Sequence, residues 1–249
     1  MRNKLIFAGV LFLMAFAIPR KNISVWLIGD STIANKEAKA FPETGWGMPF
    51  SKMFDNTVTV ENRAKNGRST KSFREEGLWK DVIENVQEGD YVFIQFGHND
   101  EVKEKVGRYT TPVEFKANLA QYVTETRSKK GIPILLTPVA RRKFDSAGKV
   151  VETHAEYSAL VRTVAKELKV PLIDLDKKSQ ELLQALGPER SKDLFLHLKP
   201  GQYPNYPDGK TDDTHFSEEG AKQIANIVTT EMIGLRLDLV DRIAMRSGH

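Results

Sequence analysis

Short apolar runs alternate with longer amphipathic stretches along this chain, and this alternation limits the possible folds more than any other feature. Each run is apolar on both sides, as is typical of a buried parallel strand. The predicted strands are Ser24–Ile28, Val58–Asn62, Tyr91–Phe96, Ile134–Pro138 and Pro171–Leu175. Helical periodicity predicts helices at Trp46–Phe54, Ser72–Val86, Pro112–Ser128, His154–Leu168 and Asp176–Leu186, and a last helix from Ser217 past Met232.

This order predicts an α/β fold, in which a five-stranded parallel sheet lies between two helix layers as a three-layer α/β/α sandwich. The segment Lys143–Val151 is predicted to form a short hairpin excursion, and Leu198–Thr211 an ordered surface loop. Ligands of such sheets bind at the carboxyl ends of the strands. The residues that follow each strand are therefore the candidates for a functional site.

The N-terminus has the features of a signal peptide. Basic residues precede the apolar run Leu5–Ile18, which is shorter than the about 20 residues that span a membrane. The sequence Ala15-Phe16-Ala17 offers a small-x-small cleavage site. We predict a signal peptide over residues 1–17, one domain over residues 22–249, and export to the periplasm or medium without a stable membrane anchor. The alternative is an uncleaved anchor or a buried first helix.

Composition removes several classes of function. The chain has no cysteine, which excludes a disulfide framework, a zinc ribbon and a cysteine nucleophile. Its net charge is +4, and basic and acidic residues are interleaved, so we do not expect a nucleic-acid partner. An acidic substrate is compatible with this charge.

Four polar clusters are predicted to meet at one edge of the sheet. They are Gly29-Asp30-Ser31-Thr32, Arg63 to Ser69, Gly97-His98-Asn99-Asp100, and Asp212-Asp213-Thr214-His215. The first three follow strands, and the fourth precedes the last helix. This convergence is a stronger functional signal than any single cluster.

Ser31, His215 and Asp212 could form a nucleophilic triad. A serine nucleophile needs a base within hydrogen-bond reach and a group that orients the base. His215 is the candidate base, and Asp212, three residues earlier, could hold its Nδ1. Other roles stay open, because Ser31 could be a helix N-cap, and Asp213 could replace Asp212 as the orienting acid.

An oxyanion formed by attack of Ser31 needs preorganised donors. We predict that three groups donate hydrogen bonds to the oxyanion: the backbone N–H of Ser31, the backbone at Gly67 and the side-chain amide of Asn99. Gly67 could instead be an ordinary left-handed turn, and Asn99 an Asx-turn. His98 could be a second base or metal ligand, or could pack behind Asn99. The chain has no His-x-His or His-Glu-x-x-His motif, so we expect neither a catalytic metal nor a cofactor.

The four clusters resemble the four blocks of the SGNH (GDSL) hydrolase superfamily. More narrowly, they are similar to those of the rhamnogalacturonan acetylesterases of carbohydrate esterase family 12, as is Thr137-Pro138-Val139-Ala140-Arg141-Arg142. The resemblance implies a flavodoxin-like SGNH hydrolase fold, with Ser31 as nucleophile, His215 as base and Asp212 as orienting acid. It also implies oxyanion donors at Ser31, Gly67 and Asn99. The chain lacks a Gly-x-Ser-x-Gly elbow, which disfavours the ordinary α/β-hydrolase fold.

Basic side chains near the same edge suggest how a substrate is recognised. We predict substrate binding by Arg68, His98, Arg141 and Arg142, because an arginine fork matches the carboxylate of a uronic-acid polymer. The alternative is that the arginines are solvated surface charges that pair with neighbouring acids, such as Glu75, Glu76 and Asp145.

These features predict an exported serine esterase that removes O-acetyl groups from a plant cell-wall polysaccharide, in particular rhamnogalacturonan, through an acetyl-serine intermediate. The expected partner is an acetylated polysaccharide or oligosaccharide. Two alternatives are a GDSL esterase or lipase that acts on acetylated xylan or lipid esters, and a non-catalytic sugar-binding module.

Overall fold

Five strands form a parallel sheet in the computed structural model, which describes residues 20–244. They are β1 Ile23–Gly29, β2 Val58–Asn62, β3 Tyr91–Gln95, β4 Ile132–Leu136 and β5 Leu172–Ile173. Their order is β2-β1-β3-β4-β5, and every neighbouring pair is parallel. This is the flavodoxin-like order. The predicted signal peptide, residues 1–17, lies outside the described residues.

Helices cover both faces of the sheet. They are α1 Gly47–Phe50, α2 Thr70–Glu75, α3 Leu78–Asn85, α4 Pro112–Ser128, α5 Ala155–Leu168, α6 Leu175–Arg190 and α7 Glu218–Gly234. Val25 and Leu27 of β1 pack in one core with α1, α6 and α7. Trp26 and Ile28 point to the opposite face and pack in a second core with α2 to α5. The predicted three-layer α/β/α fold is confirmed.

Local sequence explains where several helices begin and end. Helix α4 has the predicted bounds, because Thr111 and Glu114 form a capping box and Pro112 occupies the first turn. The helix predicted at Ser72–Val86 is instead two helices, since Gly77 between them has a φ of 77°. The helix predicted at Trp46–Phe54 ends at Phe50, and Phe54 forms an antiparallel bridge to Ile243.

A second, two-stranded sheet was not predicted. Strand β6, Phe195–Leu198, pairs antiparallel with β7, Lys210–Phe216. The predicted surface loop Leu198–Thr211 thus supplies the end of one strand and the start of the other. The sequence of β7 is mostly polar, so it lacks the apolar alternation that predicts a strand. The predicted excursion at Lys143–Val151 does contain an antiparallel bridge, between Phe144 and Val150.

Within residues 20–244, no helix is long and apolar enough to cross a bilayer.

Candidate active site

Ser31 lies in a tight turn directly after β1. The turn is closed by Asp30, whose Oδ1 accepts hydrogen bonds from the backbone N–H and the hydroxyl of Thr32, at 2.9 and 2.8 Å. Gln95 of β3 donates to the Thr32 hydroxyl at 2.7 Å. Helix α1 begins only at Gly47, so Ser31 does not cap a helix. Its hydroxyl is therefore available for a catalytic role.

Asp212 and His215 are brought together by a β-bulge. Asp212 pairs with Leu196, and Phe216 pairs with the adjacent Phe195, so residues 213–215 of β7 bulge out of the register. Asp212 Oδ1 closes the bulge by accepting the backbone N–H groups of Thr214 and His215, at 2.8 and 3.0 Å. The bulge therefore aims both side chains at the end of β1.

The three side chains form a continuous hydrogen-bonded relay. Ser31 Oγ lies 2.9 Å from His215 Nε2, and His215 Nδ1 lies 2.8 Å from Asp212 Oδ2. Burial alone would raise the pKa of Asp212, but the hydrogen bonds from the side chain and backbone of His215 outweigh it and hold that pKa below its usual range. Asp212 thus remains ionised and fixes the orientation of the imidazole.

Asp213 is not the orienting acid. Its Oδ1 accepts hydrogen bonds from Arg142 at 2.8 Å and from His197 Nε2 at 2.7 Å. Neither aspartate caps α7, because Ser217 occupies the N-cap and accepts from the backbone of Gly220 at 3.2 Å. The geometry thus separates two acids that spacing alone left equivalent.

A charge network links the triad acid to the loop after β2. Lys210 Nζ lies 3.4 Å from Asp212 Oδ2 and 4.0 Å from Glu43. Glu43 also pairs at 2.7 Å with Lys36, whose side chain is 2% exposed and donates to Asn66 at 2.8 Å. Lys210 and Asp212 are two residues apart on one strand, so their side chains lie on the same face, and this one pair of the network would follow from a prediction of β7.

The predicted oxyanion donors lie on two loops that are fixed to each other. The loop after β2 is held by the backbone bond from Lys65 N–H to Gly29, at 3.1 Å. Gly67 follows with a φ of 78°, a conformation that favours glycine. Asn99 donates one N–H of its amide to the carbonyl of Arg68 at 2.9 Å, which orients the amide and leaves its second N–H available.

Asp100, next to Asn99, stabilises this arrangement through hydrogen bonds. Its Oδ1 accepts hydrogen bonds from the backbone and hydroxyl of Thr70 and from the hydroxyl of Thr110. The side chain is fully buried, and burial raises the pKa of Asp100 to about 7. Asp100 therefore ties the end of β3 to the start of α2 and to the loop before α4.

The predicted substrate-binding arginines are already engaged. Arg142 donates to Asp213, to Ser191 at 3.1 Å and to the carbonyl of Pro188, and its side chain is only 11% exposed. Its contacts assign it to holding the β7 bulge, which corrects the prediction that it binds substrate. Arg68 forms a two-donor contact with Glu76, at 2.7 and 3.0 Å, as the surface-charge alternative anticipated.

Arg141 lies beside the triad. It donates to the hydroxyl of Thr214, the residue before His215, and to the carbonyl of His98 at 3.5 Å. Its distance to Glu101 is 3.8 Å, and 32% of its side chain is exposed. Arg141 thus borders the site, and it donates two hydrogen bonds within the protein.

His98 is buried behind Asn99, with 4% of its surface exposed. Its ring packs edge-on against His154 at a centroid distance of 4.3 Å. Burial, reinforced by the nearby His154 and Arg141, lowers the pKa of His98 well below its usual value. A buried, neutral imidazole cannot contact a polysaccharide directly, so the predicted substrate-binding role does not fit this position.

One residue of the site was missed by sequence reasoning. Arg108 lies in the loop between β3 and α4, and its guanidinium covers the α-carbon of Gly67. A Cβ atom built on Gly67 would lie 2.9 Å from Nη1 of Arg108. No motif marks Arg108, and its only signal is its place a few residues after the Asn99 cluster.

Across residues 20–244, no group of three or more histidine, cysteine, aspartate or glutamate residues is placed to hold a metal ion.

Comparison with known proteins defines the class to which this site belongs. The model of the GDSL-like lipase/acylhydrolase family matches residues 27–223. The chain belongs to this family and is a carboxylic ester hydrolase. The matched region contains all four polar clusters.

Individual relatives narrow the resemblance. The rhamnogalacturonan acetylesterase RhgT of Bacillus subtilis (strain 168) is 42% identical over 229 residues, which cover 92% of this chain and 97% of that protein. The crystal structure of YxiM from Bacillus subtilis has a TM-score of 0.77 at 26% identity, with 88% of this chain covered and 58% of that longer chain. The acetylxylan esterase Axe2 from Geobacillus stearothermophilus has a TM-score of 0.61 at 18% identity, with coverage of 91% and 98%, and it shares the fold.

Proposed function

We propose that this chain is an exported serine acetylesterase that removes O-acetyl groups from rhamnogalacturonan. The observation that carries the proposal is the relay from Ser31 through His215 to Asp212, at 2.9 and 2.8 Å, at the carboxyl end of the parallel sheet. The likeness to RhgT over nearly the full length of both chains supports this substrate class.

The relay can carry out acyl transfer in two steps. Ser31 Oγ attacks the acetyl carbonyl while His215 Nε2 accepts its proton, and ionised Asp212 stabilises the resulting imidazolium. The N–H groups of Ser31, Gly67 and Asn99 receive the negative charge that develops on the carbonyl oxygen. The intermediate collapses, the ester bond breaks, and His215 returns the proton to the departing sugar hydroxyl.

The second step regenerates the enzyme. Water attacks the carbonyl carbon of acetyl-Ser31 while His215 accepts a proton from the water. The bond between that carbon and Ser31 Oγ then breaks, His215 passes the same proton to Ser31 Oγ, and acetate leaves. Because His215 must accept a proton in each step, both steps require its neutral form.

The substrate is tested by acetate release from three materials at equal acetyl concentration: acetylated rhamnogalacturonan, acetylated xylan and a glycerol ester of a long-chain fatty acid. We expect the highest kcat/KM on rhamnogalacturonan. Preference for xylan or for the lipid ester would identify a different GDSL esterase. Binding to polysaccharide without hydrolysis of any ester, including p-nitrophenyl acetate, would identify a sugar-binding module.

Export is part of the same proposal and rests on the sequence of residues 1–17. Expression of the full chain in a bacterial host, followed by fractionation and N-terminal sequencing, tests it. We expect a processed protein outside the cytoplasm that begins shortly after Ala17. An unprocessed protein in the cytoplasm or membrane would contradict it.

A further inference from the structure

The site around Ser31, Gly67 and Asn99, called the cleft below, contains one arginine that has no acidic partner within residues 20–244. Arg68 pairs with Glu76 at 2.7 Å, and Arg142 pairs with Asp213 at 2.8 Å. Arg141 uses Thr214 and the carbonyl of His98, with Glu101 at 3.8 Å. Within residues 20–244, the Arg108 guanidinium has neither a carboxylate within 4.0 Å nor a side-chain hydrogen bond.

The position of Arg108 is set by the backbone of its loop. Its N–H donates to the carbonyl of Lys105 at 2.7 Å, and Thr110 N–H donates to the carbonyl of Asp100 at 3.0 Å. The loop is thereby anchored to the strand end that carries Asn99. Arg108 is partly exposed, and its guanidinium lies over Gly67, where the Cζ atom is 3.1 Å from a Cβ built on that glycine.

We propose that Arg108 is a specificity-determining residue that binds the carboxylate of a uronic-acid unit at, or next to, the acetylated sugar. This inference rests on the proposed function, because it assumes that the acetyl carbonyl lies at Gly67 and Asn99. A guanidinium beside that carbonyl can hold a carboxylate through two parallel hydrogen bonds. Arg108 takes the role that the sequence suggested for Arg141 and Arg142.

The position of Arg108 also bears on why residue 67 is a glycine. Its positive φ disfavours other residues, and a Cβ would lie 2.9 Å from the guanidinium, so the end of the Arg108 side chain would have to shift. One glycine thus allows the backbone donor and the arginine to approach the same substrate unit.

The test compares two forms of one substrate, acetylated rhamnogalacturonan oligosaccharides with free carboxylates and the same oligosaccharides methyl-esterified. The variants are Arg108→Gln, Arg108→Lys and the control Arg127→Gln. Arg127 lies at the end of α4, at the opposite edge of the sheet, and donates to the carbonyl of Lys169 at 3.1 Å. Its substitution removes the same charge far from the cleft.

We expect R108Q to lower kcat/KM on the free-carboxylate form roughly 10- to 100-fold, mainly through KM, since charge-assisted hydrogen bonds are lost. The effect on the methyl-esterified form and on p-nitrophenyl acetate should be far smaller. R108K should recover part of the loss, because it keeps the charge without the planar fork. R127Q should behave as wild type.

Two outcomes would overturn the inference. Equal losses on all three substrates would mean that Arg108 acts on the shared acetyl group or on loop structure. No loss on any substrate would mean that it is a solvated surface charge.

Failure of the proposed function would look different, because the wild type would then hydrolyse p-nitrophenyl acetate but neither form of the oligosaccharide. In that case, inhibition of p-nitrophenyl acetate hydrolysis by unacetylated oligogalacturonate tests whether Arg108 binds a carboxylate. A KI that rises at least roughly tenfold in R108Q supports the carboxylate site, and an unchanged KI rejects it.

Discussion

The two sides of the cleft differ in how their charges are satisfied. On the triad side, Asp212 accepts the side chain and backbone of His215 and lies near Lys210, while Asp213 pairs with Arg142. On the opposite side, Arg108 covers Gly67 without a carboxylate partner among residues 20–244. The difference indicates that the two sides have different roles. Groups that perform chemistry need fixed partners, whereas a group that recognises a charged ligand must be available to bind it.

The largest expected effect on activity comes from substitution of the triad acid, Asp212. We expect Asp212→Asn to lower kcat on the order of 10⁴-fold, because the imidazole loses the partner that fixes its tautomer and stabilises its charge. The matched variant Asp213→Asn should keep kcat within a few-fold of wild type. Steady-state kinetics with p-nitrophenyl acetate provides the measurement. Comparable losses in both variants would show that the assignment of Asp212 is wrong.

The next effect concerns the oxyanion donors on the opposite side. Asn99→Ala removes one donor, and we expect kcat to fall roughly 10²- to 10³-fold with little change in KM. The loss should be equal on charged and neutral substrates, since both share the acetyl carbonyl. A loss confined to KM would instead place Asn99 in ground-state binding.

Arg142 sharpens the contrast with Arg108. Arg142→Gln breaks contacts to Asp213, Ser191 and Pro188 that hold the β7 bulge. We expect a loss of stability of about 1–3 kcal/mol and equal, modest losses of kcat/KM on polymer and small ester. Urea denaturation and kinetics on both substrates measure this. A loss of kcat/KM on the polymer alone would show that Arg142 binds substrate.

The smallest effect on activity is expected at Asp100, which should act on stability. Because its folded-state pKa is raised to about 7, the folded chain holds a proton that the unfolded chain releases near pH 4. The contribution of Asp100 to the unfolding free energy therefore falls as the pH rises from about 4 to about 7, by a few kcal/mol at most.

Asp100→Asn removes this titration. We expect the difference in unfolding free energy between about pH 5 and about pH 8 to shift in the variant, by the amount that Asp100 contributes in the wild type. Urea denaturation at both pH values measures it. Identical pH dependence in the two proteins would show that Asp100 is not protonated in the folded state near pH 5.

The sequence predicted the parallel sheet because its signals are local. Strand β2 and helix α4 have the predicted bounds, since an apolar run, a capping box and Pro112 act over a few residues. The hairpin of β6 and β7 was missed, because the polar strand β7 is specified by its pairing with Phe195–Leu198. The spacing of Asp212 and His215 predicted that the two side chains are in contact, as the hydrogen-bond distance in the structure shows. The bulge that brings them together, however, depends on the pairing of β6 with β7.

The residues of the site divide in the same way. Ser31, Asn99 and His215 lie in short motifs that can be recognised from the chain alone. The partners of Arg142 and Arg108 are set by tertiary contacts. Arg142 meets Asp213, which is 71 positions away, and the loop of Arg108 packs over Gly67. Arg141 and Arg142 therefore seemed available to a substrate, whereas among the described arginines near Gly67 and Asn99 it is Arg108 that lacks a carboxylate partner.

The central claim is that Ser31 is a nucleophile activated by His215 and Asp212, and labelling with a fluorophosphonate tests it most directly. The reagent reacts with activated serines, and peptide mass spectrometry locates the adduct. We expect one adduct, on Ser31, that forms in proportion to the loss of p-nitrophenyl acetate hydrolysis. It should be absent from a folded Ser31→Ala variant whose kcat is lower by about 10⁴-fold or more. Loss of activity with the adduct elsewhere, or turnover by Ser31→Ala near the wild-type rate, would contradict the account.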